Sequence, residues 1–592
     1  MRSRAALPLL LAAASALAAW REAPPPIDVP HRRLFEHEEG RAKRLAAALA
    51  AVERGPVGSL PPSVEGALRG YDVLSYDLSF ALDPANTYLE GRAVIRVTGV
   101  AAETAEIALD FFDGYELTET SRNGRPVVPL SRGGAKLVLP LDPPLRAEGR
   151  TTLTVAFHGV PPSGGALTYW RHDTGAAAGN VSEPFGARDF FPCVDDPRDK
   201  AVVTVHVTVP PGIVAVSSGL VTTTDEPDGR RTFTWRLPQP IPTYLVSLAV
   251  ANYVTVEGSY VRLDGRTMPL VSYVLPQHEA SSRQHLAVLG SQIAVFAPLF
   301  GEYPFADTKY GIAASHFGGG MEHPTMTAIG AVPLADPNRD VTLLLAHELA
   351  HQWWGDAVTM RTWDDIWLNE GFATYSEVLY QEKAQGTAPG EAMRRRDDRL
   401  YDGVLARPVV ADPADPFAYT SAVYLKGAWA VHMLRRTVGD DVFFDGLKRW
   451  LLRHQWGTAT RGDLRALYEE LSGRGLKSFF DQWLETPFRP VLRVTFTNNA
   501  DGTRVTITVH QTQAHDVVHP EAGPDDTRWY GFPLTVRLFM ANGQTADVTV
   551  PVSGRSAAES FDVPTPFAVP VLLMETDAGN ELLKVVEFSG RA

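Results

Sequence analysis

Cysteine is nearly absent from this chain, since Cys193 is the single one among 592 residues. No disulfide can form within the chain, so its stability has to come from packing even in an oxidising compartment. An excess of positive charge is also missing, because 55 Lys and Arg residues face 69 Asp and Glu residues for a net charge of −14. This balance argues against a nucleic-acid partner, which would require a basic face.

The sequence also lacks a hydrophobic run long enough for a membrane span. The most apolar segment, residues 5–19, is uncharged but falls short of the roughly 20 residues that a span needs. Arg2 and Arg4 precede it, and Ala16-Leu17-Ala18 supply small residues near its end. This pattern is typical of a secretory signal peptide. We expect residues 1–19 to direct export to the periplasm or the medium, with an uncleaved anchor as the alternative.

The length predicts several domains, because a single hydrophobic core rarely grows beyond about 250–300 residues. Residues 20–65 are expected to form a leader or linker, which is either a surface helix or a solvated spacer or pro-segment. Period-two alternation predicts an N-terminal β domain over 66–257, and helical periodicity dominates 258–487. Alternation returns over 488–592 and predicts a β-sandwich. The expected fold class is therefore multidomain α+β.

The segment His347-Glu348-Leu349-Ala350-His351 is the strongest chemical signal in the sequence. Asp336-Pro337 predicts the start of a helix that contains it. Residues at i and i+4 lie on one face of a helix, so both imidazoles can reach one metal ion. Glu348 between them is placed to act as the general base toward a water at that ion.

A catalytic zinc normally takes three protein ligands and leaves one position open. Glu370 fits the third place, because 18 residues separate it from His351 and its neighbours Trp367, Leu368 and Phe372 are apolar. Glu377 lies seven residues further on the same helical face. We expect it to accept a hydrogen bond from one of the imidazoles and so orient that ring.

These motifs carry a family resemblance. HELAHQWWGD, followed by WLNEGFATY at the 18-residue spacing, resembles the gluzincin zinc aminopeptidases of the aminopeptidase N family, which also contains the bifunctional leukotriene-hydrolysing aminopeptidase. YDVLSYDLSF and ARDFFPCVDDPRDKA resemble its N-terminal signatures, so the resemblance runs from about Tyr71 to the C-terminus. It implies a saddle-like N-terminal domain, a thermolysin-like catalytic domain, one Zn²⁺ per chain and removal of N-terminal residues from peptides. It also implies a structural role for Cys193.

The resemblance also implies which residues bind the free N-terminus of a peptide. The segment Gly319-Gly320-Met321-Glu322-His323 is similar to the family's glycine-x-Met-Glu-Asn motif and assigns the substrate's α-amine to Glu322. Glycines there permit close approach of a substrate strand. Glu183, five residues before Arg188 of the N-terminal signature, is the second implied amine anchor. His323 departs from the family's usual Asn, which puts the strength of amine binding in question.

For the oxyanion that forms during hydrolysis, the resemblance assigns Tyr424 in Tyr424-Leu425-Lys426-Gly427. A phenol remains a neutral donor at pH 7 and suits this role. Tyr419 matches a second tyrosine often found near the site, with core packing as an equal alternative. Leu425 replaces the family's Glu, so one local contact differs.

The predicted function is therefore zinc-dependent aminopeptidase activity on peptides with a free N-terminus. Two alternatives stay open at this point: a catalytically inactive peptide-binding scaffold, and an epoxide hydrolase on the same fold. The β-like pattern after residue 490 leaves little room for the helical C-terminal domain that accompanies epoxide hydrolysis in the family. Side-chain preference, peptide length limit and oligomeric state are not specified by any pattern in the sequence.

Overall fold

The computed structural model describes residues 69–396, 407–418, 421–513, 529–566 and 569–587. The predicted signal peptide, the predicted leader up to residue 65 and Tyr419 lie outside these residues. None of the helices in the described ranges combines the length and apolar character that crossing a bilayer requires.

The N-terminal region consists of strands in which buried residues alternate with more exposed ones, as in Ala201–Val209, where Val203, Val205 and Val207 are buried and Thr204 and His206 are not. Alternation of this kind buries one face of a sheet. The strands are β1 (Tyr71–Ala81), β2 (Leu89–Gly99), β3 (Glu103–Asp110), β4 (Glu116–Arg122), β5 (Arg125–Pro126), β6 (Ser131–Gly133), β7 (Lys136–Arg146), β8 (Arg150–Gly159), β9 (Leu167–His172), β10 (Gly175–Asn180), β11 (Ala201–Val209), β12 (Val214–Val216), β13 (Leu220–Asp225), β14 (Arg231–Ile241) and β15 (Ala249–Ala251).

These strands form an eight-stranded sheet in the order β13-β14-β11-β1-β2-β8-β4-β5, a four-stranded sheet β12-β15-β10-β9 and a three-stranded sheet β3-β7-β6. Strand β1 runs parallel to β11 and antiparallel to β2. Cys193 is a buried free thiol in this region.

The middle region begins with a five-stranded sheet in the order β16-β17-β18-β20-β19. Its strands are β16 (Val254–Val261), β17 (Thr267–Val274), β18 (Ile312–Ser315), β19 (Gly320–Met321) and β20 (Thr327–Gly330). The predicted domain boundary at 257 falls inside β16. Because β16 pairs with β17 along its whole length, the hydrogen bonding places that strand in the middle region.

Helices make up most of the rest of the middle region, and a short parallel pair, β21 (Thr359–Met360) and β22 (Thr458–Ala459), lies between them. The helices are α1 (Glu279–Leu286), α2 (Leu289–Phe300), α3 (Ala331–Ala335), α4 (Thr342–Ala350), α5 (Trp367–Gln385), α6 (Pro389–Arg394), α7 (Gly427–Val438), α8 (Asp440–His454), α9 (Arg461–Ser472) and α10 (Lys477–Phe480).

The predicted start of α4 at Asp336-Pro337 is wrong. Helix α4 begins at Thr342, whose N–H donates to Asp340 Oδ1 at 2.9 Å. The Asp336 carboxylate instead accepts the N–H of Asn338 at 2.9 Å and closes a separate turn. The N-cap residue is Val341, which makes no side-chain cap, so the two aspartates each close a local turn before the helix starts.

Helices α5 and α7 approach very closely at a pair of glycines. A Cβ on Gly371 would lie 3.0 Å from the carbonyl carbon of Gly427. A π-helical turn, Ala422–Lys426, immediately precedes α7 and carries Tyr424. Since Glu370 adjoins Gly371, this contact between glycines brings the helix of the predicted third ligand next to the predicted catalytic tyrosine.

Lys200, from the N-terminal region, anchors that region to the segment that follows α4. Its Nζ donates to the carbonyl oxygens of Asp356 at 3.0 Å, Gly457 at 3.2 Å and Ala357 at 3.3 Å. Burial lowers the pKa of this amine to about 7, against the opposing effect of the nearby Asp356 carboxylate. These bonds fix the N-terminal region beside the helix that carries both histidines.

The C-terminal region consists of two sheets with the orders β27-β24-β23-β29 and β26-β25-β28. Their strands are β23 (Val491–Asn498), β24 (Arg504–Gln511), β25 (Phe532–Met540), β26 (Thr545–Val552), β27 (Ala558–Pro564), β28 (Val571–Thr576) and β29 (Val585–Glu587). The predicted fold class, a multidomain α+β chain with β-rich regions on either side of a helical one, is confirmed.

Candidate active site

The predicted metal ligands meet at one point between α4 and α5. Glu370 Oε2 lies 3.2 Å from His347 Nε2 and 3.3 Å from His351 Nε2, and the two Nε2 atoms are 3.2 Å apart. All three side chains are buried. A tetrahedral ion with bonds of about 2.0–2.1 Å would separate its ligand atoms by about 3.3 Å. The spacing therefore fits zinc.

The hydrogen bonds of the two rings agree with metal binding through Nε2. His351 Nδ1 lies 2.9 Å from the carbonyl oxygen of Trp354. A carbonyl oxygen can only accept, so the ring hydrogen is on Nδ1 and the lone pair of Nε2 is directed at the other ligands. His347 Nδ1 lies 3.0 Å from Glu377 Oε1. Both rings therefore present Nε2 to the same point.

Glu377 lies where the sequence predicted an orienting acceptor. Its second carboxylate oxygen accepts from Arg396 Nη2 at 2.8 Å. Burial opposes ionisation of Glu377, but the hydrogen bond from His347 and the charge of Arg396 lower its pKa. The carboxylate is thus held charged and fixed in place, as an acceptor that orients a metal ligand should be.

Replacing Glu377 with glutamine is expected to weaken zinc binding about 10- to 100-fold, because loss of such an acceptor frees the ligand ring. The measurement is the zinc dissociation constant from competition with a chelator. Glu382→Gln is the matched control on the same helix, since Glu382 pairs with Arg435 instead. Equal zinc affinity in both variants would contradict the orienting role.

Glu348 lies against the edge strand β19. A Cβ added to Gly320 would lie 2.2 Å from Glu348 Cδ, so a larger residue at this position would displace the carboxylate. Burial raises the pKa of Glu348 to about 7, although the neighbouring imidazoles of His347 and His351 lower it. A carboxyl group with a pKa close to the working pH can both accept and return a proton.

Glu183 and Glu322, the two predicted amine anchors, are brought together beside Glu370. Carboxylate oxygens of these three residues lie within 4.8 Å of one another. Oxygen Oε1 of Glu183 and Oε1 of Glu322 are buried and have no hydrogen-bond partner among the described residues. Burial raises the pKa of Glu183, and the charge of Glu322 raises it further. Burying carboxylates this close together costs free energy unless a cation balances their negative charge.

The remaining residues of the predicted glycine-rich motif surround Glu322. Gly319 has open space where a side chain would be, and Met321 is buried in β19. His323 is buried, its Nε2 has no partner among the described residues, and burial lowers its pKa to about 3. The imidazole at this departure from the family pattern is therefore neutral.

Gln352, which sequence reasoning missed, holds the Glu322 segment on the metal helix. Its Nε2 donates to the carbonyl oxygen of Glu322 at 3.0 Å, and its Oε1 accepts from the N–H of Thr325 at 2.8 Å and from the Tyr303 hydroxyl at 2.9 Å. Its position in the sequence, directly after His351, is the signal that could have identified it as a residue of the site.

Tyr424 stacks on the first metal ligand. Its ring lies parallel to that of His347, with an interplanar angle of 5° and a centroid distance of 5.8 Å. Burial raises the pKa of its hydroxyl well above the usual range, and the charges of Glu370 and Glu183 raise it further. The group is therefore a neutral donor. The neighbouring Leu425 is buried.

Family models match two parts of the chain. The peptidase family M1 domain matches residues 290–483, and the peptidase M1 N-terminal domain matches residues 73–245. The chain is 32% identical over 348 residues to glutamyl aminopeptidase of Bos taurus, across 54% of this chain and 35% of that protein. It is 29% identical to aminopeptidase N of Lactococcus lactis subsp. lactis, across 59% of this chain and 43% of that protein. The chain thus spans less than half the length of these relatives.

Two solved structures are similar over most of the chain. An M1 zinc metallopeptidase from Deinococcus radiodurans, solved as a variant bound to the substrate Tyr-Ser-Ala, is 30% identical with a TM-score of 0.61, and the match covers 70% of this chain and 94% of that one. Legionella pneumophila aminopeptidase A, in complex with aspartic acid, is 20% identical with a TM-score of 0.75 over 88% of this chain and 60% of that one. The second likeness is one of fold.

Proposed function

This chain belongs to peptidase family M1, and from that premise we propose that it is a zinc aminopeptidase that hydrolyses the N-terminal residue from peptides. The observation that carries the proposal is the position of Glu183 and Glu322 beside Glu370. A zinc site alone hydrolyses amides anywhere along a chain, whereas two carboxylates next to it select a free ammonium. They also obstruct any peptide that continues past that point.

Each remaining group has a place in this reaction. When bound by His347, His351 and Glu370, zinc supplies a Lewis acid that polarises the scissile carbonyl and lowers the pKa of a water. Glu348 accepts a proton from the attacking water and passes it to the leaving amine. The Tyr424 hydroxyl donates a hydrogen bond to the oxyanion as negative charge develops there.

The glycine-rich strand supports a position for the peptide backbone. Strand β19 ends the five-stranded sheet, so one of its edges has no partner strand among the described residues. An extended peptide can add to such an edge through its main chain. Its N-terminus would then reach Glu322, the residue that follows β19.

The test compares alanyl and leucyl chromogenic amides with free and with acetylated N-termini, with and without a chelator. We expect hydrolysis of the free forms only, and its loss on chelation. Glu322→Gln should lower kcat/KM by about 10²–10³-fold, since removing one partner of a buried charge pair costs about 2–5 kcal/mol. Glu470→Gln, an exposed glutamate paired with Arg453, is the control. Equal cleavage of acetylated substrates by a zinc-loaded enzyme would refute the proposal.

We also propose that the protein is exported. The support is the sequence pattern of residues 1–19, in which two arginines precede an apolar run that ends in small residues. Expression of the full chain in a bacterial host should give a mature protein that begins near residue 19 or 20 and is recovered outside the cytoplasm. Mass spectrometry of the purified N-terminus measures this. A cytoplasmic product that retains residues 1–19 would count against export.

A further inference from the structure

The three carboxylates of Glu183, Glu322 and Glu370 form a group that overlaps the zinc triad at one residue. Glu370 belongs both to the set with His347 and His351 and to the set with the two other glutamates. Within the described ranges, these two sets are the groups of His, Cys, Asp and Glu side chains close enough to hold a metal ion. The second set offers oxygen ligands alone.

Within this second set, Glu370 Oε2 lies against both histidines, whereas Glu183 and Glu322 each keep one buried oxygen without a hydrogen bond among the described residues. In the part of the chain that the structure describes, Oε1 of Glu322, a residue only 3% exposed, has no hydrogen-bond partner, and neither has Oε1 of Glu183. Arg188, in the same loop region as Glu183, is engaged with Asp195 at 2.8 Å. Lys200 donates to main-chain carbonyl groups. The oxygens are therefore available to a cation from solution, and a substrate ammonium is one such cation.

We propose that a second divalent cation binds Glu183, Glu322 and Glu370 when no peptide is present, and that excess divalent metal therefore inhibits in competition with the peptide's free N-terminus. The inference rests on the proposed function, because it assigns a second ligand to the amine site. Sites made only of carboxylate oxygens suit hard ions such as Mn²⁺, Mg²⁺ and Ca²⁺. Sites for two metal ions are common in hydrolytic enzymes, and Glu370 belongs to both groups of side chains here.

Competition follows from shared ligands. An ammonium and a metal ion would both use the oxygens of Glu183 and Glu322, so each excludes the other. A rise in Mn²⁺ should therefore raise the apparent KM for a free-amine substrate and leave kcat unchanged. Saturating substrate should restore full activity.

Binding of Mn²⁺ to the zinc-loaded protein, followed by electron paramagnetic resonance, tests the site directly. Mn²⁺ binds mixed nitrogen and oxygen sites more weakly than zinc, so it should leave the zinc of the histidine site in place. We expect one Mn²⁺ per chain in the wild type and at least tenfold weaker binding in Glu183→Gln and in Glu322→Gln. Zinc content and melting temperature identify a variant that fails to fold. If one of the two glutamine variants fails, Mn²⁺ binding to the other one tests the proposed site.

Glu348→Gln is the matched control, because it removes a neighbouring carboxylate that is not one of the three ligands. Wild-type Mn²⁺ affinity in this variant supports local binding, whereas an equal loss in all three variants overturns it in favour of a general effect of charge. The same inactive variant allows competition: Ala-Ala-Ala should release the Mn²⁺, and acetyl-Ala-Ala-Ala should not. If the wild type cleaves free-amine substrates yet binds no Mn²⁺ up to millimolar concentration, this inference fails and the proposed function stands.

Discussion

Glu348→Gln is expected to lower kcat by about 10³-fold while the protein keeps its zinc. General acid–base groups contribute about 10²–10⁴-fold to rate, and Glu348 is the carboxyl group that lies between the two histidines and against Gly320. Glutamine keeps the shape but can neither accept a proton from water nor return one to the leaving amine. Steady-state kinetics with a leucyl chromogenic amide, together with zinc analysis, measures the effect.

The control for this variant is Glu279→Gln, which makes the same chemical change at an exposed residue paired with Arg283. Its kcat should equal that of the wild type. A Glu348→Gln enzyme that retains more than a tenth of the wild-type kcat would show that another group carries the proton. Loss of zinc from that variant would assign Glu348 to the metal site instead.

Tyr424→Phe should lower kcat by about 10²–10³-fold, with little change in KM. This is the loss that follows removal of one donor to a developing oxyanion. Phenylalanine keeps the ring that stacks on His347, so the metal ligand should stay in place. A loss confined to kcat indicates an interaction made in the transition state, whereas a rise in KM alone would indicate a binding contact.

Tyr468→Phe is the matched control for the hydroxyl. Tyr468 is fully buried in α9, and its hydroxyl donates to the carbonyl oxygen of Phe443 at 3.0 Å. Its loss should cost about 1 kcal/mol of stability and leave kcat unchanged. If both tyrosine variants lost activity equally, the effect of Tyr424→Phe would have to be attributed to stability.

Much of the fold was predictable because it follows from short-range patterns. Alternation in β11 and in β24 predicted half-buried strands, and those segments are strands. Boundaries were less predictable. Helix α4 begins at Thr342 and not at Asp336, and the predicted domain boundary at residue 257 falls inside β16. An Asp-Pro pair can close a turn as well as start a helix, and a strand's partner depends on residues far away in sequence. Neither is encoded in a local pattern.

The residues of the candidate site also differ in whether a local pattern predicts them. The i, i+4 spacing of His347 and His351 places both rings on one helical face whatever surrounds the helix. Glu183 was assigned through resemblance, because nothing in its own neighbourhood relates a loop of the N-terminal region to a metal helix that begins 159 residues later in the sequence. Gln352 was missed because its role lies in contacts with Tyr303, Glu322 and Thr325.

The sequence by itself determined the residue types of the metal site and the helix that presents two of them, because helical periodicity is a local property of the chain. Only the tertiary structure decided how the rest converges: the contact of Gly371 with Gly427 that brings Tyr424 to the site, and the anchoring of the N-terminal region by Lys200. The physical reason is that packing and long-range hydrogen bonds join segments that are far apart in the sequence. No local pattern in the sequence shows that such segments lie close together in space.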